Sequence, residues 1–263
     1  MGNYKFDKFY YSEDQSNEHY LSEIENLSDK EYNNTYKDKM YCPWCKGPQL
    51  SRVVKDGSVF LRTYRGQTHK IIDEKICPYE YDAATTRTVE NYVNELRSKK
   101  KIKSLLESIM RMMFRKSYPK NTTPGNTNND DDNPLLIKRF KNEKTTTRNI
   151  IPHYNFKNWG KNIPQDQLLI VYGKVYIVLK DNKYNDTDGT TKTQTYIHFK
   201  DITSKKLITS CKKPDELDIS TGYYYVVVLG KCHSNTYNEQ TYYNLHVNYP
   251  FSESILLEEL EDQ

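Results

Sequence analysis

Cys42-Pro43-Trp44-Cys45 sets two thiols two residues apart, the spacing that lets both sulfurs face one metal ion. His69 and Cys77 follow at a distance and can supply a third and a fourth ligand. A structural zinc centre is closed by four such N/S ligands, and drawing them from two places in the chain makes the ion a staple. The sequence therefore predicts one structural Zn2+ on Cys42, Cys45, His69 and Cys77. The plainer alternative is three small buried cysteines beside an ordinary histidine. A redox dithiol at Cys42 and Cys45 would ask for a surrounding βαβ pattern, and none is visible. An odd total of five cysteines, with one CxxC, fits metal binding in a reducing compartment better than a disulfide framework.

A second chemistry lies in aromatic residues interleaved with cations. From Leu168 to Lys180 the residues alternate, so a strand would send Leu169, Val171, Gly173, Val175, Ile177 and Leu179 to one face and Tyr172, Lys174, Tyr176 and Lys180 to the other. From Thr195 to Ile202 the same split puts Ile197 and Phe199 inward and Tyr196, His198 and Lys200 outward. Aromatic rings that stack on bases, with lysines tracking the backbone, are what single-strand recognition on a sheet needs. Tyrosine is abundant throughout this chain, so an ordinary half-exposed sheet would look similar. A third basic group, Arg97, Lys99, Lys100, Lys101, Lys103, Arg111, Arg115 and Lys116, stands against the single Glu107. It reads either as a phosphate contact or as a solvated helix face.

These residues need elements to hold them. The recurrence of Tyr20, Leu21, Ile24 and Leu27 predicts a short amphipathic helix in the acidic segment 1–39. Leu50–Val54 and Val59–Thr63, joined through Asp56-Gly57, predict a hairpin between the two halves of the ligand set. Thr88 to Phe114 reads as helix, with an irregular step from Leu96 to Ile102 that either shifts the apolar face or divides it into two helices. The Asn, Asp, Thr and Pro of 118–164 predict a flexible linker. Five β-prone runs follow: Leu168–Lys180, Thr195–Ile202, Lys206–Lys212, Gly222–His233 and Tyr242–Val247.

The expected class is therefore α+β in two modules. Residues 1–117 form a zinc-stapled β-hairpin with helices, including the basic region, and 165–263 form a small five-stranded barrel. Residues 40–80 resemble zinc-ribbon modules. The order of the five strands, Gly173-Lys174-Val175 in the first and Leu229-Gly230-Lys231 in the fourth, resemble an OB-fold. That resemblance implies oligonucleotide binding on the face of its second and third strands, which would involve Tyr196, His198, Lys200, Lys206 and Lys212.

The function expected is a non-catalytic accessory protein for single-stranded nucleic acid, of the kind a phage or mobile element carries. The alternative is an adaptor or inhibitor directed at a protein partner. A metal-dependent nuclease ranks below both, because Asp181, Asp186 and Asp188, the best acidic group, sit in a turn that favours such residues anyway. No apolar run reaches the roughly 18 residues of a membrane span, and Met1 to Phe6 holds no apolar signal core. The expectation is a cytoplasmic protein with no membrane partner and no evident small-molecule substrate. A formal net charge of +4 is too small to identify a partner by itself.

Overall fold

The computed structural model describes residues 6–55, 57–72, 75–96, 98–114, 133–142, 145–160, 163–187, 189–237, 239–247 and 252–260. They fall into two compact units, one within 1–92 and 117–153, the other within 93–116 and 154–263. The protein is mixed α+β and mostly sheet.

The first unit opens with β1 (Lys8–Tyr11) and β2 (Asp14–Tyr20), an antiparallel pair where a helix alone was expected. Helices α1 (Leu21–Glu25) and α2 (Asp29–Thr35) follow, and Leu21 and Ile24 are buried as their spacing predicts. Ser28 starts α2 by accepting from the Glu31 N–H, while the Glu31 carboxylate accepts from the Ser28 N–H. Strand β3 (Met40–Tyr41) pairs with β1 and delivers the chain to Cys42.

Next comes the hairpin of β4 (Leu50–Lys55) and β5 (Ser58–Thr63), in register from Leu50↔Thr63 to Lys55↔Ser58. Its two-residue turn needs a left-handed position, and Gly57 supplies it at φ 74°. Arg52 ties this hairpin to the helices. Its guanidinium donates to the Leu27 carbonyl at 2.7 Å and the Ile24 carbonyl at 3.2 Å, satisfying groups a helix end leaves open. It also lies 4.4 Å over the Tyr32 ring.

The short pair β6 (Ile71–Ile72) and β7 (Lys75–Ile76) brings the chain to Cys77, and β8 (Asp82–Ala83) follows. Of the two alternatives the spacing leaves open, the division into two helices is the one observed: α3 (Thr86–Leu96) and α4 (Lys99–Phe114). Thr85 caps the first and Ser98 the second, so a new N-cap, rather than a shifted face, accounts for the irregular step.

Between 133 and 155 the structure departs from the predicted linker. Strands β9 (Leu136–Asn142) and β10 (Thr145–Ile150) pair antiparallel, and β8 joins β10 in parallel. Leu135, Leu136, Ile137, Ile150 and Ile151 are buried. These apolar residues flank a long polar stretch, so a search for unbroken alternation passes over them. Residues 118–132 of that linker lie outside the described residues. The chain passes to the second unit through β11 (His153–Asn155).

The second unit is a curled antiparallel sheet with the order β14-β13-β12-β15-β16, and β17 lies beside β15. Its strands are β12 (Leu168–Asn185), β13 (Thr191–Lys200), β14 (Leu207–Lys212), β15 (Gly222–Tyr237), β16 (Gln240–Val247) and β17 (Ile255–Glu259). β12 changes partner midway: Leu168–Ile177 pairs with β15, and Tyr176–Asn185 with β13. Such an offset, added to the twist of the strands, rolls the sheet on itself. The two edges come together where the Thr209 hydroxyl on β14 donates to the Tyr243 carbonyl on β16 at 2.9 Å.

Ile177, Ile197, Phe199, Cys211, Val226, Val228, Cys232 and Leu245 are buried in this sheet, and Phe199 stacks on Phe156 at 5.0 Å. Gly230 is required by a close approach, since a Cβ there would lie 2.6 Å from the His246 carbonyl oxygen.

Candidate metal centre and basic face

The metal-ligand prediction rests on residues 35 positions apart meeting in space. Cys42, Cys45, His69 and Cys77 each bring a ligand atom to within 4.8 Å of the others. Cys42 Sγ lies 3.6 Å from Cys77 Sγ, and Cys45 Sγ 3.4 Å from His69 Nδ1. The three cysteines are buried and the histidine is half-buried. This donor set can hold a metal ion, and it is the only such group of three or more among the described residues.

The backbone turns of the knuckle create the approach. The Cys42 N–H donates to the Pro48 carbonyl, and the Lys46 N–H to the Cys42 carbonyl, both at 3.0 Å. Lys46 is left-handed at φ 49°. A Cβ on Gly47 would come within 3.2 Å of Cys45 Sγ and 3.0 Å of Lys70 Cγ, so a side chain there would crowd the ligand. That glycine belongs to the site although the ligand spacing does not single it out. The readable signal is its place two residues after the second cysteine.

The two closest thiols are shifted in opposite directions. Burial pushes the Cys42 thiol far up, while Cys77 is pulled down to about 5, chiefly because Cys42 donates to it, with further help from His69 and the Tyr79 backbone N–H. The opposed shifts come from the close contact of the two thiols, and a divalent cation would favour both as thiolates.

Around the ligands the packing is apolar and aromatic. Phe6 stacks on Tyr79 at 4.8 Å, with His69 beyond it at 6.1 Å. The Tyr79 hydroxyl lies 3.4 Å from His153 Nε2, and His153 Nδ1 lies 3.0 Å from the Ile151 carbonyl. His153 therefore donates through Nδ1, accepts through Nε2 and stays neutral, its pKa lowered by burial. Tyr79 and His153 carry no spacing signal, and only the packing brings them to this site.

On the curled sheet, cross-strand register gathers most of the outward residues read from the sequence. Lys174 faces Tyr225, Tyr176 faces both Lys200 and Tyr223, Val178 faces His198, and Lys180 faces Tyr196, which in turn faces Lys212. Lys174, Lys180 and Lys212 are exposed, and Tyr176, Tyr196, His198 and Lys200 are half-buried. Burial, then Lys200 and Lys180, lowers the His198 pKa, which records the positive charge collected there.

Tyr172 is a correction: it is 1% exposed. Alternation assigns an outward face only where one side is wet, yet Leu168 to Gly173 are buried one after another. Phe114 of α4 covers that side, 6.2 Å from the Tyr172 ring and 4.7 Å from the Tyr225 ring.

Lys205 is an addition that strand periodicity could not reveal, because it sits in the turn before β14. Its ammonium lies 3.9 Å from the Tyr176 ring centre and 3.8 Å from that of Tyr223, and donates to the Tyr223 hydroxyl at 2.6 Å. In the basic helix α4, Ile102, Leu105, Leu106, Ile109 and Met110 are buried, and Lys100, Lys101 and Lys103 are exposed. Lys99 opens this helix. Arg97, Arg115 and Lys116 lie outside the described residues.

No protein-family model, curated protein or solved structure matches the chain. No helix among the described residues is long and apolar enough to cross a membrane.

Proposed function

We propose that the protein binds single-stranded nucleic acid without catalysis, through the outer face of an OB-like C-terminal barrel, and that zinc holds its N-terminal unit together. One observation carries the nucleic-acid reading. Tyr176, Tyr196, Tyr223 and His198 alternate with Lys174, Lys180, Lys200 and Lys212 across four neighbouring strands. Flat rings offer stacking to any base and the lysines offer contacts to phosphate, which together give sequence-tolerant binding. The OB-like reading is supported by the strand order and by the Thr209–Tyr243 bond, which bring the third and fifth strands of the barrel together.

Zinc is favoured by the donor set. Three thiolates and one imidazole suit a borderline-soft ion in tetrahedral geometry, and they close the site to water. That gives the ion a structural part. Lys100, Lys101 and Lys103 on α4 join the reading as further phosphate contacts.

The test is fluorescence anisotropy with single- and double-stranded oligonucleotides at two salt concentrations. Single strands are expected to bind more tightly. Tyr176→Ala should cost about 1–3 kcal/mol at both salt levels. Lys200→Ala should flatten the slope of log affinity against log salt by about 0.7. A wild-type protein that binds no oligonucleotide at low salt overturns the reading and leaves a protein partner as the alternative.

A further inference from the structure

The knuckle that closes the metal site also presents an aromatic residue outward. Trp44, between the two ligand thiols, is 37% exposed, while Cys42 and Cys45 on either side of it are buried. An exposed indole on a backbone pinned by two thiol ligands is a rigid contact, since little freedom remains to lose on binding. The rest of the loop and the residues it touches are cationic and aromatic. Lys46 lies one residue past the second thiol, exposed, with its ammonium 4.2 Å over the Tyr10 ring. Tyr10 in turn lies 6.4 Å from Tyr41. The stem of Lys70 packs on Gly47, and Lys70 is exposed as well.

We propose that this knuckle is a second element binding single-stranded nucleic acid, with the Trp44 indole as the stacking platform and Lys46 and Lys70 as phosphate contacts. Charge complementarity selects the occupant. An exposed ring on a loop that carries one exposed lysine and packs against a second suits an unstacked base with its phosphates better than an apolar protein surface. The inference rests on the proposed function and extends it to the first unit. The metal then has a further role, fixing the loop from which the indole projects.

Intrinsic fluorescence can isolate the event, because the chain has only two tryptophans. The other, Trp159, is half-buried and donates to the Tyr243 carbonyl at 2.9 Å. The zinc-loaded full chain is titrated with oligothymidylate and oligoadenylate. Emission should be quenched in the wild type and in Trp159→Phe but not in Trp44→Phe. Trp44→Ala, with its zinc content unchanged, should bind about tenfold more weakly. Quenching that persists in Trp44→Phe overturns the inference, as does wild-type affinity in Trp44→Ala. If Tyr176→Ala abolishes binding while the Trp44 variants retain it, the inference fails and the barrel face stands. If neither oligonucleotide binds the wild type at low salt, the proposed function and this extension fail together.

Discussion

In the N-terminal unit the strands around the ligands are short, down to two residues in β3, β6 and β7, and one cluster joins Phe6, Met40, Leu50 and Leu61 to Cys42, Cys45 and Cys77. In the C-terminal unit β12 and β15 run for 18 and 16 residues, and each hydrogen-bonds along its length to several partners. The second can build an apolar interior from its own alternation. The first places three of its four candidate ligands among its core residues, so a metal held there would be coupled to the packing of residues 40–80. Short strands leave fewer ladder hydrogen bonds to hold the ligand region, so a metal bound there would act as a staple, whereas the long curled sheet holds itself by its own pairing.

The largest effect expected from that contrast is on metal removal. Chelation, or Cys42→Ser with Cys77→Ser, should unfold the region of residues 40–80 and leave the sheet of the second unit intact, because structural zinc is worth about 10–16 kcal/mol of apparent binding free energy. Nitrogen–proton correlation spectra separate the two sets of signals. Uniform loss from both units would show that the second depends on the metal as well, and elemental analysis of the native protein would identify the ion.

A smaller effect of the opposite kind is expected from Phe199→Ala. This side chain is fully buried against Phe156, so its loss should destabilise the second unit by about 3–5 kcal/mol. Urea unfolding followed by far-ultraviolet circular dichroism measures the change. Metal content should stay the same, and coupled loss of the ion would show that the units depend on one another.

The smallest effect is electrostatic and lies on the basic face. Because burial, and after it Lys200 and Lys180, holds the His198 pKa down, Lys200→Gln should raise it part of the way, as a proton NMR titration would show. The folded protein resists protonating His198, so this residue's contribution to stability is complete above its ordinary value of about 6.5 and declines as pH falls toward the lowered one. A bound polyanion would reverse the local field and raise the pKa. Oligonucleotide affinity should then increase as pH falls through that window, and an affinity independent of pH would remove His198 from the face.

The amino-acid sequence by itself determined the local features. Two thiols in a CxxC are spaced so that one local turn can aim both at a single point. Gly57 closes a two-residue turn, and alternation in β13 divides Ile197 and Phe199 from Tyr196, His198 and Lys200. Each depends on neighbours a few residues away. Tertiary structure alone decided what depends on distant partners. Tyr172 is buried because Phe114, far off in the chain, covers it, and Lys205 joins Tyr176 and Tyr223 because a turn returns it to their strands. Strands β9 and β10 occupy a polar stretch because the apolar residues at their ends are buried together. Periodicity records which residues share a face, but whether that face meets water, a helix or another strand is fixed only when the chain has packed.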